Sequence, residues 1–173
     1  MKKIIALLIL FPVLIFSQGN KFKRFDSLIG NWKGLGIGAA NEKSTIKSEF
    51  NFVLGDKFIE VINDSKFEPT AKNPEGKHHV DKGFISYDAT RNLFVFRQFH
   101  IEGFVIQYIL VDSLSSNSKI VFESEKIDNF IRGGKARWSI TKVTASAIVT
   151  TFDVSMPRKG YERFGENKLI RIP

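Results

Sequence analysis

The densest run of chemically useful side chains is Arg97-Gln-Phe-His-Ile-Glu-Gly-Phe-Val-Ile-Gln-Tyr108, two strand-like stretches joined through Gly103. Alternate residues of an extended chain share a face, which puts Phe94, Phe96, Gln98 and His100 on one side and Val95, Arg97 and Phe99 on the other. Both faces are largely apolar. This predicts a segment covered on each side, one by a barrel interior and the other by an N-terminal helix or a partner. Polar groups placed there must be hydrogen-bonded, and a buried arginine needs a carboxylate, for which Glu102, Glu123 and Glu125 are candidates. Arg97, Gln98, His100 and Gln107 therefore serve either a structural network or the orientation of a bound molecule.

Glu123, Arg137 and Trp138 fall on strands expected to be near neighbours, the makings of an arginine–carboxylate pair beside an aromatic ring, either a structural pair or a ligand clamp. His79 and Asp81 are two residues apart, as metal ligands on one strand face would be. With no fourth ligand in sight, the His78-His79-Val80-Asp81 stretch reads as a solvated junction between loop and strand, and no metal site is predicted. His100, alone on an apolar strand, reads as a core residue before it reads as a ligand to haem or a metal. No catalytic residue is predicted. The chain has no G-x-S-x-G, no H-E-x-x-H, no phosphate loop and no cysteine. Trp32, Gly34, Gly36 and Gly38 alternate along one face without the spacing or the helix of a dinucleotide fingerprint; such glycines let a barrel strand bend or let another group approach closely.

The elements that must hold these residues are nearly all strands. Phe22, Phe25, Leu28 and Ile29 are spaced as one short amphipathic helix that ends at Gly30. Thereafter short runs of alternating polarity recur about every ten residues. Strands are expected at Trp32–Gly38, Thr45–Leu54, Lys57–Asp64, Val80–Tyr87, Leu93–His100, Phe104–Asp112, Lys119–Lys126, Lys135–Val143, Ala147–Met156 and Tyr161–Ile172. Gly55-Asp56, Ala89-Thr90-Arg91-Asn92, Ser115-Ser116-Asn117, Gly133-Gly134 and Arg158-Lys159-Gly160 supply turn chemistry between them. The fold class that follows is all-β, a ten-stranded antiparallel up-and-down β-barrel with a short N-terminal helix. Closing ten strands leaves an interior wide enough for a ligand.

Met1, Lys2 and Lys3 precede an unbroken apolar stretch from Ile4 to Phe16, and Ser17-Gln18-Gly19-Asn20 follow it. That layout predicts a cleavable signal peptide over 1–17, a single domain over 18–173, and export to the periplasm or medium. The stretch is too short to span a bilayer, which takes about 20 residues. With no cysteine, neither a lipid anchor nor a disulfide is expected, so the core alone must hold the domain. The net charge is +8, but the lysines are scattered singly among acids, which argues against nucleic acid as a partner.

The segments Leu28-Ile-Gly-Asn-Trp-Lys-Gly-Leu-Gly-Ile-Gly38, Phe67-Glu-Pro69, Asp81-Lys-Gly-Phe-Ile-Ser-Tyr-Asp88 and Arg97-Gln-Phe-His-Ile-Glu-Gly-Phe-Val105 resemble a bacterial group of lipocalin-like, calycin-type barrels related to the nitrobindin-like haem-binding β-barrels. The resemblance implies a ten-stranded barrel with a short helix at one end and an internal apolar pocket. In nitrobindins a histidine near the C-terminus holds b-type haem, for chemistry on nitric oxide and peroxynitrite. The last strand here, Tyr161-Glu-Arg-Phe-Gly-Glu-Asn-Lys-Leu-Ile-Arg171, has no histidine, so that ligand has no counterpart; haem would need another group such as His100. The sequence therefore predicts an exported, non-enzymatic barrel for a small apolar or carboxylate-bearing ligand. Trp32, Phe96, Tyr108 and Trp138 are expected to line its pocket, with polar anchors among Arg97, Gln98, His100, Gln107 and Arg137. The alternatives are a haem protein acting on reactive nitrogen species and an interaction barrel without an internal ligand.

Overall fold

A strand with one apolar and one polar face has to hide the first, and ten such strands in succession can do so without exposed edges by rolling into a cylinder. The computed structural model, which describes residues 18–71 and 73–173, is that cylinder. Its strands are β1 (Gly30–Ile37), β2 (Lys43–Val53), β3 (Phe58–Phe67), β4 (Lys77–Asp88), β5 (Leu93–His100), β6 (Val105–Leu110), β7 (Lys119–Asp128), β8 (Lys135–Thr144), β9 (Ala147–Ser155) and β10 (Tyr161–Ile172). Each pairs antiparallel with the next, and β1 pairs with β10 from Asn31 opposite Ile172 to Ile37 opposite Glu166, closing the barrel. The expected all-β, up-and-down fold is the one observed. The expected signal peptide lies outside the described residues. Among those described, no helix is long and apolar enough to cross a membrane.

The two ends differ. At the end where β1 begins, a 3-10 helix over Gln18–Leu28 enters the barrel and buries Phe22 and Phe25 completely. Their rings meet Phe94 at 5.2 and 4.9 Å in edge-to-face contacts, the favoured geometry for aromatic pairs. The plug is held at its exit. The Trp32 indole donates to the Leu28 carbonyl at 2.7 Å, and Arg171 of β10 lies 4.3 Å over the Trp32 ring while donating to the carbonyls of Ser27 and Ile29. This corrects one expectation: the helix fills the interior instead of covering the outer face of β5, where Arg97 and Phe99 are exposed.

A second difference concerns β4, which begins at Lys77, three residues before the expected Val80. His78 and His79 are therefore strand residues on opposite faces. His78 points outward to Asp64 at 3.0 Å, and His79 points inward.

The seam depends on a missing side chain. A Cβ on Gly34 would stand 1.9 Å from the Lys168 carbonyl oxygen of β10, so only glycine lets the two strands pair there. Gly34→Ala is expected to cost about 3 kcal/mol or more, because backbone must move to admit the methyl group. Equilibrium unfolding in urea measures this; a change below about 1 kcal/mol would show that the seam is not so constrained.

Candidate functional site: a cavity with a polar wall

At the other end the interior is not filled. A cavity of about 350 Å³ opens between the connections β1–β2, β3–β4, β5–β6, β7–β8 and β9–β10. Its floor is Trp138, which packs against Phe96 with ring centroids 4.9 Å apart and so separates the cavity from the aromatic core below. Ile106, Ile127, Ala136, Phe152 and Val154 form the apolar wall. At the mouth Ile37, Phe130, Met156 and Phe164 are large apolar side chains left exposed, by 50, 37, 43 and 51%. An apolar rim around an apolar cavity has the character of an entrance.

The opposite wall, from β3, β4 and β5, is polar, and its structure begins behind the surface. Five residues, one from each of the strands β2 to β6, form a lateral hydrogen-bonded belt. Ser48 donates to Asn63 Oδ1 at 2.7 Å, and Asn63 Nδ2 donates to Asp81 Oδ1 at 2.7 Å. From the other side the Tyr108 hydroxyl donates to Gln98 Oε1 at 3.1 Å, and Gln98 Nε2 donates to the same Asp81 oxygen at 2.5 Å. Tyr108 is fully buried, and burial followed by the Asp81 charge pushes its pKa well above the usual value, which keeps it a donor. Asp81 is the centre on which both arms converge, and 7% of its surface is exposed. Asn63, the first residue of the Asn63-Asp64-Ser65 sequon, is committed to this belt by its side chain.

The second Asp81 oxygen faces the cavity, 3.5 Å from His79 Nε2. The other ring nitrogen of His79 lies 2.7 Å from Glu102 Oε1, and Lys77 reaches the same Glu102 oxygen at 3.3 Å. Hydrogen bonding to Asp81 is the largest influence on His79 and, with Glu102, outweighs burial, so its pKa is raised. His100 is opposite Asp81 in the β4–β5 register, and its ring stacks on Phe104 at 4.1 Å. Both of its ring nitrogens are buried and neither has a partner. Burial, the dominant cause, lowers its pKa to about 4. The tip of the β5–β6 hairpin, shaped by Gly103 in a positive-φ conformation of 89°, carries Glu102 back over the two rings. One ligand-bearing atom from each of His79, His100 and Glu102 lies within 4.8 Å of the other two.

Of the ten residues singled out in the sequence, Trp138 and His100 line the cavity. Gln98 and Tyr108 sit one layer behind it, supporting Asp81. Trp32 and Phe96 belong to the packed core, Trp32 at the plugged end. Four point outward, which corrects the expectation that they anchor an internal ligand. Arg97 donates to Gln107 at 3.1 Å and to Ser86, with no carboxylate in contact, and Gln107 donates to Glu125 at 3.0 Å. Arg137 pairs with Glu123 at 2.6 Å and lies 4.0 Å over the Tyr161 ring, also outside. Outer-face positions on a barrel cannot reach its interior. His79 and Glu102, which sequence reasoning assigned to a solvated junction and to an arginine partner, are the inward groups instead.

The donor set bears on haem. An iron that already holds four porphyrin nitrogens in one plane offers only two positions, on opposite faces. One protein ligand can hold haem iron, and His79 and His100 are the two cavity-lining histidines from which it would have to come.

No protein-family model matches this sequence, and no curated protein matches it. Among solved structures the barrel is similar to Rv2717c from M. tuberculosis, with a TM-score of 0.60, 13% identity, 88% of this chain covered and 97% of the other. Weaker likenesses are EF1p2_mFAP2b bound to DFHBI (TM-score 0.45, 9% identity, 84% and 94% covered) and a de novo designed fluorescence-activating β-barrel (TM-score 0.41, 11% identity, 83% and 93% covered). At such identities the first likeness shows the fold alone.

The two central groups of the wall should respond oppositely to replacement. Asp81→Leu strands two amides and His79 and is expected to cost about 3–5 kcal/mol, as for other broken buried ion pairs. His100→Leu removes nitrogens that nothing satisfies and is expected to leave stability unchanged or raise it by about 1 kcal/mol. Paired urea melts in the presence of a chelator test the contrast, and equal losses would refute it. The two histidines also respond to acid with opposite signs. His100 stays neutral in the fold while the unfolded chain takes up a proton near pH 6.5, so its contribution to stability falls as pH drops from about 6.5 to about 4. His79, raised, contributes fully below pH 6.5 and loses its contribution as pH rises through its folded value. NMR titration of the chelator-treated protein should show one imidazole titrating near pH 4 and one above 6.5; coincident titrations near 6.5 would contradict both assignments.

Proposed function

We propose that this chain is an exported, non-enzymatic carrier for a small amphipathic molecule, taken up through the open end of the barrel with its apolar part on Trp138 and its polar end against the His79–His100 wall. The single observation that carries the reading is the cavity's division into two faces. One, from Ile106, Ile127, Ala136, Phe152 and Val154, is apolar; the other is a fixed set of hydrogen-bonding groups from β3 to β5, and a smaller polar patch of Ser44, Thr150 and Asn167, where Asn167 donates to Thr150 at 3.2 Å, completes the lining. A chain of roughly ten heavy atoms suits a volume of about 350 Å³, within the range of small-molecule pockets. A ligand carboxylate or carbonyl would meet donors on that wall, which supplies the orientation that an apolar pocket alone lacks. Export rests on the N-terminal sequence pattern, and the affinity to nitrobindin-like barrels on the sequence resemblance.

The test is isothermal titration calorimetry of the protein with straight-chain carboxylic acids of increasing length, from hexanoic to dodecanoic acid. Saturable binding at one site in the micromolar range is expected, with an optimum at medium chain length. Ala136→Leu, which adds three carbons to the side chain lining the cavity, should weaken binding at least tenfold without unfolding the barrel. Binding that is absent throughout the series, or indifferent to Ala136→Leu, sinks the reading.

A further inference from the structure

We propose that the polar wall is a binding site for one divalent transition-metal ion of borderline softness, the class of Zn²⁺ and Co²⁺, ligated by His79, His100 and Glu102. Two imidazoles and a carboxylate form a set that such ions accept with a fourth position left open, and nitrogen ligands disfavour Ca²⁺ and Mg²⁺, which take oxygen. The ligand atoms lie within 4.8 Å of one another; for tetrahedral bonds of about 2.0–2.1 Å the wider spacings must close to about 3.3 Å, and the 2.7 Å between His79 Nδ1 and Glu102 Oε1 must open to it. Glu102 can supply that movement. It sits on a hairpin tip with its side chain one-third exposed, and its present partners are His79 and Lys77.

Three further observations point to the same place. His100 has two buried ring nitrogens and no partner for either, although buried polar atoms are almost always satisfied. Its ring is held in plane by Phe104, so a nitrogen aimed at the cavity stays aimed. His79 turns its Nε2 to Asp81, which leaves Nδ1 facing Glu102. A ligating histidine commonly donates its other N–H to a carboxylate, which fixes tautomer and ring orientation; Asp81, itself held by Asn63 and Gln98, is such a carboxylate. An ion at this point would lie between His79 Nδ1 and Glu102 Oε1, now 2.7 Å apart. All three residues line the cavity, so a fourth ligand would come from it.

This site does not require the apolar ligand, and the two are tested separately. The full chain, stripped with EDTA and dialysed, is titrated with Co²⁺ and followed by its visible ligand-field bands, which are intense for a four-coordinate ion and weak for the hydrated one. One equivalent with intense bands is expected, displaced by Zn²⁺. His100→Phe, which keeps the stack on Phe104, and Glu102→Gln should each lower affinity at least tenfold, with far-UV circular dichroism unchanged. Asp81→Asn, altering a positioning residue, should shift the bands and weaken binding roughly 10- to 100-fold. His78→Ala, outside the barrel, should change nothing. Weak binding of several equivalents, bands that survive His100→Phe, or loss with His78→Ala would each overturn the site and leave only a surface-held ion. If His100→Phe does not fold, the imidazole NMR signals of the unaltered protein decide: addition of Zn²⁺ must move two of them and leave His78 in place. Octanoic acid binding to the EDTA-treated protein, measured in parallel by calorimetry, separates failure here from failure of the carrier reading.

Discussion

Closure of the sheet is the constraint on which everything else rests. Once β1 pairs with β10, every apolar strand face is committed to one enclosed volume, and ten strands enclose more than a single layer of side chains can fill. The chain treats the two halves of that volume differently. In one half the 3-10 helix adds Phe22 and Phe25 to Phe94, Phe96 and Phe122, and the space becomes an ordinary core. In the other half no described element enters. Trp138 is the boundary, a core residue on one side and a pocket floor on the other.

The belt through Ser48, Asn63, Asp81, Gln98 and Tyr108 is hard to explain by stability alone. Buried polar networks of this kind are often matched or exceeded by apolar side chains of similar volume, and this fold has ample apolar material from which to choose. What the belt provides is direction. Each arm uses up one amide's hydrogen-bonding capacity so that the Asp81 carboxylate has one oxygen held from behind and the other turned to His79. A free carboxylate on a flexible stem would not hold an imidazole in one tautomer; one fixed by two strands can. The unsatisfied His100 then reads as the counterpart of this arrangement, a group left without partners inside the fold at a place where the cavity can bring one.

Most of the barrel was legible because strands are local. β5 and β10 fall on the residues expected from alternation and turn chemistry, since Asn92 and Gly160 interrupt the pattern where the chain must reverse. The site was only half legible. Parity placed Gln98 and His100 together, but parity says which residues share a face and not which face is inside. With Val95 and Phe99 beside it, Arg97 looked as enclosed as Gln98. Arg137 and Glu123 met the same ambiguity: the sequence paired them correctly and put the pair on the wrong side of the sheet. His79 was hidden by the start of β4, because a segment that follows Pro69 and Pro74 reads as loop until its partner strand β3 is known. Glu102 had a faint signal, an acid at a hairpin tip two residues beyond an inward histidine. The β4–β5 register that sets His100 opposite Asp81 is a pairwise property that no single strand carries.

The seam has a consequence for how the chain reaches this state. Nine of the ten strand pairings join neighbours in sequence and can form as successive hairpins, whereas the tenth joins Asn31 to Ile172. Until β10 arrives, β1 and β9 each present an unpaired edge and the apolar interior is open along its whole length, the condition under which sheets recruit foreign strands. Barrel completion is thus the pairing of longest sequence separation, the kind of contact that slows folding, and it is made at a glycine that tolerates no side chain. Any chain held short of Tyr161, by truncation or by a stalled ribosome, is committed to that vulnerable sheet.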